Sequence, residues 1–190
     1  MGKVFWNGGT LLSPVPPVMV SCGTLEKPNI ITIGWTGIVN TKPPMTYISV
    51  RPERYSYNII KESGEFAINL TTSALVKKAD FCGVKTGAKV DKFKSCGFHA
   101  IPAEKIKAPL IDESPLSLEC KVKQVIHLGT HDMFLAEIVG ANIEERYIDS
   151  KGKLNLQQCG LAAYAHGEYF ALGRKLGDFG FSVRKKNKKR

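Results

Sequence analysis

A chain of 190 residues, 43% of them hydrophobic, is long enough to bury one substantial core and sits near the usual size of a single domain. Its formal charge of +10 suggests a nucleic-acid partner, but Arg184, Lys185, Lys186, Lys188, Lys189 and Arg190 carry six of those charges and leave +4 for the rest. The chain therefore divides into a domain over 1–183 and a solvated basic tail over 184–190, and nucleic acid is an unlikely partner.

In chain order, Val15–Cys22, Asn29–Trp35 and Met45–Val50 read as strands, rich in β-branched residues and punctuated by Gly and Pro. A short helix is expected over Tyr55–Glu62, stopped by Ser63-Gly64, followed by a strand over Glu65–Leu70. A second helix is expected over Ala74–Cys82, with Ser73 as its N-cap and Gly83 as its stop. Lys85–His99 shows no sustained period and reads as a long crossing loop. Leu116–Lys123 alternates apolar and polar residues, which predicts one buried and one wet face, and the Gly129-Thr130 turn leads into Met133–Val139 as the partner strand of a hairpin. Many short strands without βαβ alternation predict a mainly β sandwich or barrel carrying a few helices.

The longest apolar runs, such as Phe134–Ala136, are too short to span a bilayer, so no membrane association is expected. Met1–Asn7 has one lysine and no apolar signal segment before Pro14, Pro16 and Pro17, which makes the cytoplasm the expected location. Cys22, Cys82, Cys96, Cys120 and Cys159 include no C-x-x-C pair and read as reduced thiols, four of them placed before a glycine. No P-loop, no G-x-G-x-x-G after a strand and no G-x-S-x-G elbow is present. His127 and His131 flank a glycine between two strands and read as turn residues rather than metal ligands, so no metal is expected. Any redox or transfer chemistry would then belong to a bound organic cofactor.

One stretch suggests an anion site. A strand ends in Ser49-Val50-Arg51, and after Pro52 a helix begins at Tyr55-Ser56. Helix amides, hydroxyls and a guanidinium fork there can all point donors at a phosphate, with Ser49, Arg51 and Ser56 as the natural ligands. An ordinary Arg-Pro turn with a capping serine accounts for the same residues.

Further segments recur in order. They are Pro16-Pro17-Val18-Met19-Val20-Ser21, Asn29 through Gly37, Pro43 through Arg51, Gly64 through Leu70, Asp80-Phe81-Cys82-Gly83 with Val90-Asp91-Lys92-Phe93, Gly129 through Ile138, and His166 through Gly173. Together they resemble the flavin reductase-like FMN-binding split barrels and, within them, the flavoredoxin branch; Thr130 departs by replacing the acid of the family's Gly-Asp-His hairpin. The resemblance implies a six-stranded antiparallel Greek-key split barrel with short flanking helices, an obligate homodimer, and one non-covalent FMN per subunit near the dimer interface.

Carried over by residue, the resemblance implies that Trp35, Thr36 and Gly37 line the isoalloxazine, while Ser49, Val50, Arg51, Tyr55 and Ser56 take the phosphate. Asn69, Leu70, Cys82 and Gly83 would border the ring or ribityl chain, Lys92 would add charge near the phosphate, and His166 and Tyr169 would stand near the open face. On the residues alone, Trp35 also reads as a rim aromatic, Asn69 as a turn or capping residue, His166 as a buried hydrogen-bonded side chain, and Cys82 as a small packing residue rather than a redox thiol. The implied activity is electron transfer through FMN, fed by NADH or NADPH in a flavin or ferric reductase, or by a redox protein partner in a shuttle. No general acid or base is assigned. A different class of reading is a non-enzymatic β-barrel binder of another phosphate ligand or of nucleic acid.

Overall fold

The computed structural model describes residues 2–184. Its strands, in chain order, are β1 (Val18–Gly23), β2 (Pro28–Ile33), β3 (Thr36–Asn40), β4 (Met45–Val50), β5 (Glu65–Leu70), β6 (Ala100–Ile101), β7 (Leu110–Ile111), β8 (Leu116–His127), β9 (Asp132–Ile143), β10 (Ala162–Ala165) and β11 (Glu168–Ala171). Three short helices join them: α1 (Tyr55–Ser63), α2 (Val76–Val84) and α3 (Lys92–Cys96). One antiparallel sheet runs β2-β1-β5-β8-β9-β4-β3, while β6-β7 and β10-β11 form small separate pairs.

Connectivity forces this sheet to curl. Its two edge strands, β2 and β3, are consecutive in the chain and separated only by Gly34 and Trp35. A flat sheet cannot bring its opposite edges within a two-residue link, so the sheet closes into a barrel with a seam. No ladder joins β2 to β3 or β4 among the described strands, and the Ser49 amide, donating to the Trp35 carbonyl at 2.9 Å, carries the β3-β4 pairing one residue into the link. The β8-β9 hairpin inserts between β5 and β4, giving the crossed-over strand order of a Greek key. The short β3 makes the sheet seven-stranded, one more than the resemblance implies.

Side-chain alternation divides β1 and β2 between two cores. Val18, Val20 and Cys22 point into the barrel with Ile31, Ile33, Ile48, Phe66, Ile68 and Phe134. Met19 and Ile30 point outward under α2 and α3, against Ala79, Cys82, Phe93 and Phe98. Both faces of these strands are covered, which is why their sequence reads as apolar runs rather than as a half-wet pattern.

Three local expectations are corrected. Ser117 and Glu119, on the face of β8 expected to be wet, are buried beneath the 104–111 segment, whose backbone bonds to that face. Within 85–99, Asp91 caps Lys94 and Gly97 ends the turn at φ 58°, so α3 forms there; five residues are too few to show a period. Ser73 opens a 3-10 turn and donates its hydroxyl to Gly160 at 3.2 Å instead of capping α2, which runs through Gly83 to Val84. Of the basic tail, Lys185–Arg190 lie outside the described residues, and Arg184 approaches Asp178 at 3.8 Å.

Candidate functional site

The seam of the barrel opens into a cleft of about 470 Å³, within the range of small-molecule sites. Its floor comes from Ile31, Thr32 and Ile33 of β2 and the Gly34-Trp35 link, and from Ser49 and Val50 of β4. Pro52 has no amide to continue the β4 ladder, so the chain turns there: the Arg54 amide bonds the Arg51 carbonyl at 3.0 Å and α1 begins. That turn places Arg51, Glu53 and Arg54 on one wall. The second wall is α2, through Asp80, Gly83 and Val84.

Close packing sets the position of α2. A Cβ on Gly83 would lie 3.3 Å from Thr32 Cβ, and the Thr32 hydroxyl donates to the Ala79 carbonyl at 2.5 Å. Arg54 reaches across the cleft and donates Nη2 to the Gly83 carbonyl at 2.5 Å, while Arg51 Nε pairs with Glu53 at 2.7 Å. Each guanidinium keeps further N–H donors. The mouth is covered by the β10-β11 hairpin, whose Tyr164 and Tyr169 meet edge to face at 5.2 Å. The Tyr169 hydroxyl donates to Asp80 at 3.1 Å, tying the hairpin to α2. Burial, with the Asp80 carboxylate beside it, pushes the Tyr169 phenol up to about 12.

Trp35 and the two tyrosines thus stand at the apolar part of the cleft, and two guanidiniums at its wall. The Flavin reductase like domain profile matches residues 11–173 of this sequence. The chain belongs to the flavin reductase-like family.

The flavoredoxin of Desulfovibrio vulgaris (Miyazaki F) has a similar structure, with a TM-score of 0.88 and 31% identity over 96% of this chain and 99% of that one. Flavoredoxin from Methanosarcina acetivorans matches with a TM-score of 0.85 and 31% identity, covering 94% of this chain and 95% of its own. An uncharacterized protein of Archaeoglobus fulgidus is 30% identical over 144 residues, 76% of this chain and 81% of the relative. The FMN reductase (NADH) RutF of Pseudomonas syringae pv. syringae is 26% identical over 101 residues, 53% of this chain and 54% of its own length.

Of the residues that the resemblance assigns in this flavin reductase-like chain, the cleft gathers Trp35, Ser49, Val50, Arg51, Gly83 and Tyr169. The others are placed elsewhere. Thr36 is buried and donates its hydroxyl to the Tyr47 carbonyl at 2.6 Å, and Gly37 packs against the Tyr47 ring. Ser56 is buried on α1 and accepts from Asn29 Nδ2 at 2.7 Å. Gly87 packs beside this pair: a Cβ there would meet Asn29 Oδ1 and lie 2.7 Å from Tyr55, and neither Tyr55 nor Ser56 is among the residues lining the cleft.

Asn69 sits at the centre of a buried polar knot. Its Nδ2 donates to Met19 O and Ser21 Oγ at 2.9 Å, and its Oδ1 accepts from Ile111 N at 3.0 Å and Ser117 Oγ at 2.7 Å. Leu70 packs against the barrel core. Lys92 is buried and clamps the Ile30 and Cys82 carbonyls at 2.7 Å each, and burial holds its ammonium below the ordinary lysine value. Cys82 belongs to the outer core beneath α2 and α3. His166 is exposed at the β10-β11 turn at φ 51°, so the buried hydrogen-bonded reading does not describe it.

Arg54, Asp80, His131 and Tyr164 are cleft residues that the sequence reading left out. Arg54 stands three residues beyond Arg51 in the same Pro-containing turn, a spacing that returns it to the same side. Asp80 and Tyr164 enter only through long-range packing, which no local pattern signals.

Proposed function

We propose that this chain binds FMN non-covalently in the seam cleft and acts as an oxidoreductase that passes electrons through it. The observation that carries the reading is a single cleft with an aromatic, apolar part at Trp35, Tyr164 and Tyr169 and donors at Arg51 and Arg54, in a member of the flavin reductase-like family. These residues fit the group in both parts. A planar ring needs an apolar floor and aromatic walls, and a phosphate monoester needs guanidinium forks. When bound, FMN supplies one- and two-electron chemistry that no side chain here can perform.

The protein's part is binding, orientation and exclusion of water. Arg51 and Arg54 hold the anionic end, with the Ser49 hydroxyl alongside. The Gly34-Trp35 link and Val50 present a floor, and the Tyr169–Asp80 bond holds the aromatic hairpin across the mouth. An electron donor held against that open side gains its rate chiefly from proximity. No side chain is assigned a proton-transfer role.

Two sources of electrons are proposed. A nicotinamide nucleotide is favoured by the relative named FMN reductase (NADH), and a redox protein partner by the two flavoredoxins. Anaerobic stopped-flow mixing of the FMN-loaded protein with NADH, then NADPH, separates them. Bleaching by either nucleotide supports a reductase, and none by both supports the shuttle.

A homodimer is part of the proposal. Ile38 and Val39 on the edge strand β3, and Val4, Phe5, Trp6, Phe179 and Val183 near the two ends, are exposed apolar side chains of the kind a second copy covers. We place the protein in the cytoplasm on its five unpaired cysteines. No described helix is long and apolar enough to cross a membrane.

A further inference from the structure

The electron path proposed above makes no use of a pair of cysteines behind the cleft wall. Cys82 Sγ on α2 and Cys96 Sγ at the end of α3 lie 3.8 Å apart, and among the described residues no other cysteine sulfurs are in contact. Lys92, in the first turn of α3, donates to the backbone carbonyl of Cys82, so the two helices are already clipped together beside the sulfurs. A disulfide requires a sulfur separation of about 2.05 Å, so closing the bond asks for a shift of just under about 2 Å. Gly97, left-handed at φ 58°, ends α3 directly after Cys96, and an exposed turn there can absorb such a shift.

We propose that Cys82 and Cys96 are a redox-active dithiol that closes reversibly to an intramolecular disulfide, with a hydroperoxide as the oxidant. The accessible partner is Cys96, half-buried, whereas Cys82 is buried. Burial pushes the Cys82 thiol up to about 12, with the neighbouring Cys96 adding to the rise and the Lys92 ammonium opposing it. The order of events follows from the difference in exposure between the two sulfurs. The Cys96 thiolate attacks the hydroperoxide O–O bond, forming a sulfenic acid and releasing an alcohol or water. The Cys82 sulfur then attacks the Cys96 sulfur, the S–O bond breaks, and water leaves with the thiol proton. Two thiols are oxidised by two electrons, and one O–O bond is reduced.

The bond would fix α2 to α3. Because α2 carries Asp80, Gly83 and Val84 into the cleft wall, the thiol state would be coupled mechanically to the wall that faces the proposed ligand. The dithiol claim itself does not depend on flavin binding. Its test uses the full-length protein without added cofactor, reduced, freed of reductant, exposed to a stoichiometric amount of hydrogen peroxide, acid-quenched, denatured and alkylated.

The expected result is two fewer alkylated cysteines than the five of the reduced protein, a mass lower by two hydrogens before alkylation, and a peptide joining Cys82 to Cys96. Dithiothreitol restores all five thiols. In Cys82→Ser the same treatment leaves a Cys96 sulfenic acid that dimedone traps, and in Cys96→Ser no linked peptide forms. Should either variant fail to fold, the peptide map of the unmodified sequence still decides. Five alkylated cysteines after peroxide, a Cys96 sulfinic acid beside a free Cys82, or a link between other cysteines overturns the proposal.

Discussion

Two polar regions of this barrel look alike in sequence and differ in physical state. Around Asn69, the amide, Ser21, Ser117 and the Ile111 backbone exchange hydrogen bonds among themselves, and the side chain is fully buried. Around Arg51 and Arg54, guanidinium donors face a cleft and only part of their bonding capacity is used within the chain. A polar group whose partners are all inside the fold holds the fold; one whose partners are incomplete beside an open cavity is available to a ligand. The resemblance implies a cofactor role for Asn69 as well as for Arg51, and the two differ in how far their hydrogen bonds are completed within the chain.

Removing donors from the cleft should have the largest effect. Arg51→Ala combined with Arg54→Ala should lower FMN affinity by about 100-fold or more, since each charge-assisted bond contributes about 1.5–3 kcal/mol, while urea unfolding changes little. Asn69→Ala should do the reverse. It strands the Ser117 hydroxyl and the Ile111 amide, costing about 2–3 kcal/mol in urea unfolding, and leaves FMN binding by the folded protein unchanged.

Acid sharpens the same division at Glu119. Burial alone would raise this carboxyl, but hydrogen bonds from Asn142 and the Glu104, Lys105 and Ile106 amides outweigh it and hold the value below that of an ordinary glutamate. A lowered folded value means that Glu119 contributes its full stability above the unfolded value and loses it as pH falls through the folded one. Stability of the unmodified protein should therefore drop as pH falls below roughly 4.5, and Glu119→Gln should be less stable at neutral pH with a shallower acid slope. Urea unfolding across that range measures both.

Smaller effects belong to the mouth and the tail. Tyr169→Phe removes the bond to Asp80 but keeps the aromatic wall, so FMN affinity should change by less than about threefold, read by the same titration. Truncation after Val183 should leave FMN content unchanged, since the described cleft ends at Tyr169.

The sequence made the strands legible where one face or one turn decided them. Met45–Val50 and Glu65–Leu70 appear at the expected bounds because alternation and flanking Gly or Pro punctuate them. β8 and β9 extend beyond the alternating core of their pattern, as a hairpin continues wherever partner strands can pair. The inverse failure is Glu119: a charged residue in an alternating strand reads as wet, and only the distant 104–111 segment makes it buried.

For the cleft, the positions of Ser49 and Arg51 follow from a local pattern, because a strand end, a proline and a helix start lie within a few residues. Ser56 belongs to the same local pattern yet is buried and accepts from Asn29, a contact across 27 residues that no local rule contains. For Lys92 the resemblance implies charge near the phosphate, and its ammonium donates to two backbone carbonyls inside the fold, a pairing across 62 and 10 residues that no local pattern signals.

In the proposed function, Arg51 and Arg54 hold FMN in the seam cleft. Titrating the full-length protein into FMN and following flavin fluorescence tests it most directly. Quenching should saturate at one FMN per chain and be lost in the Arg51→Ala, Arg54→Ala double variant. Unquenched flavin with the unmodified protein, or equal affinity in the double variant, contradicts it.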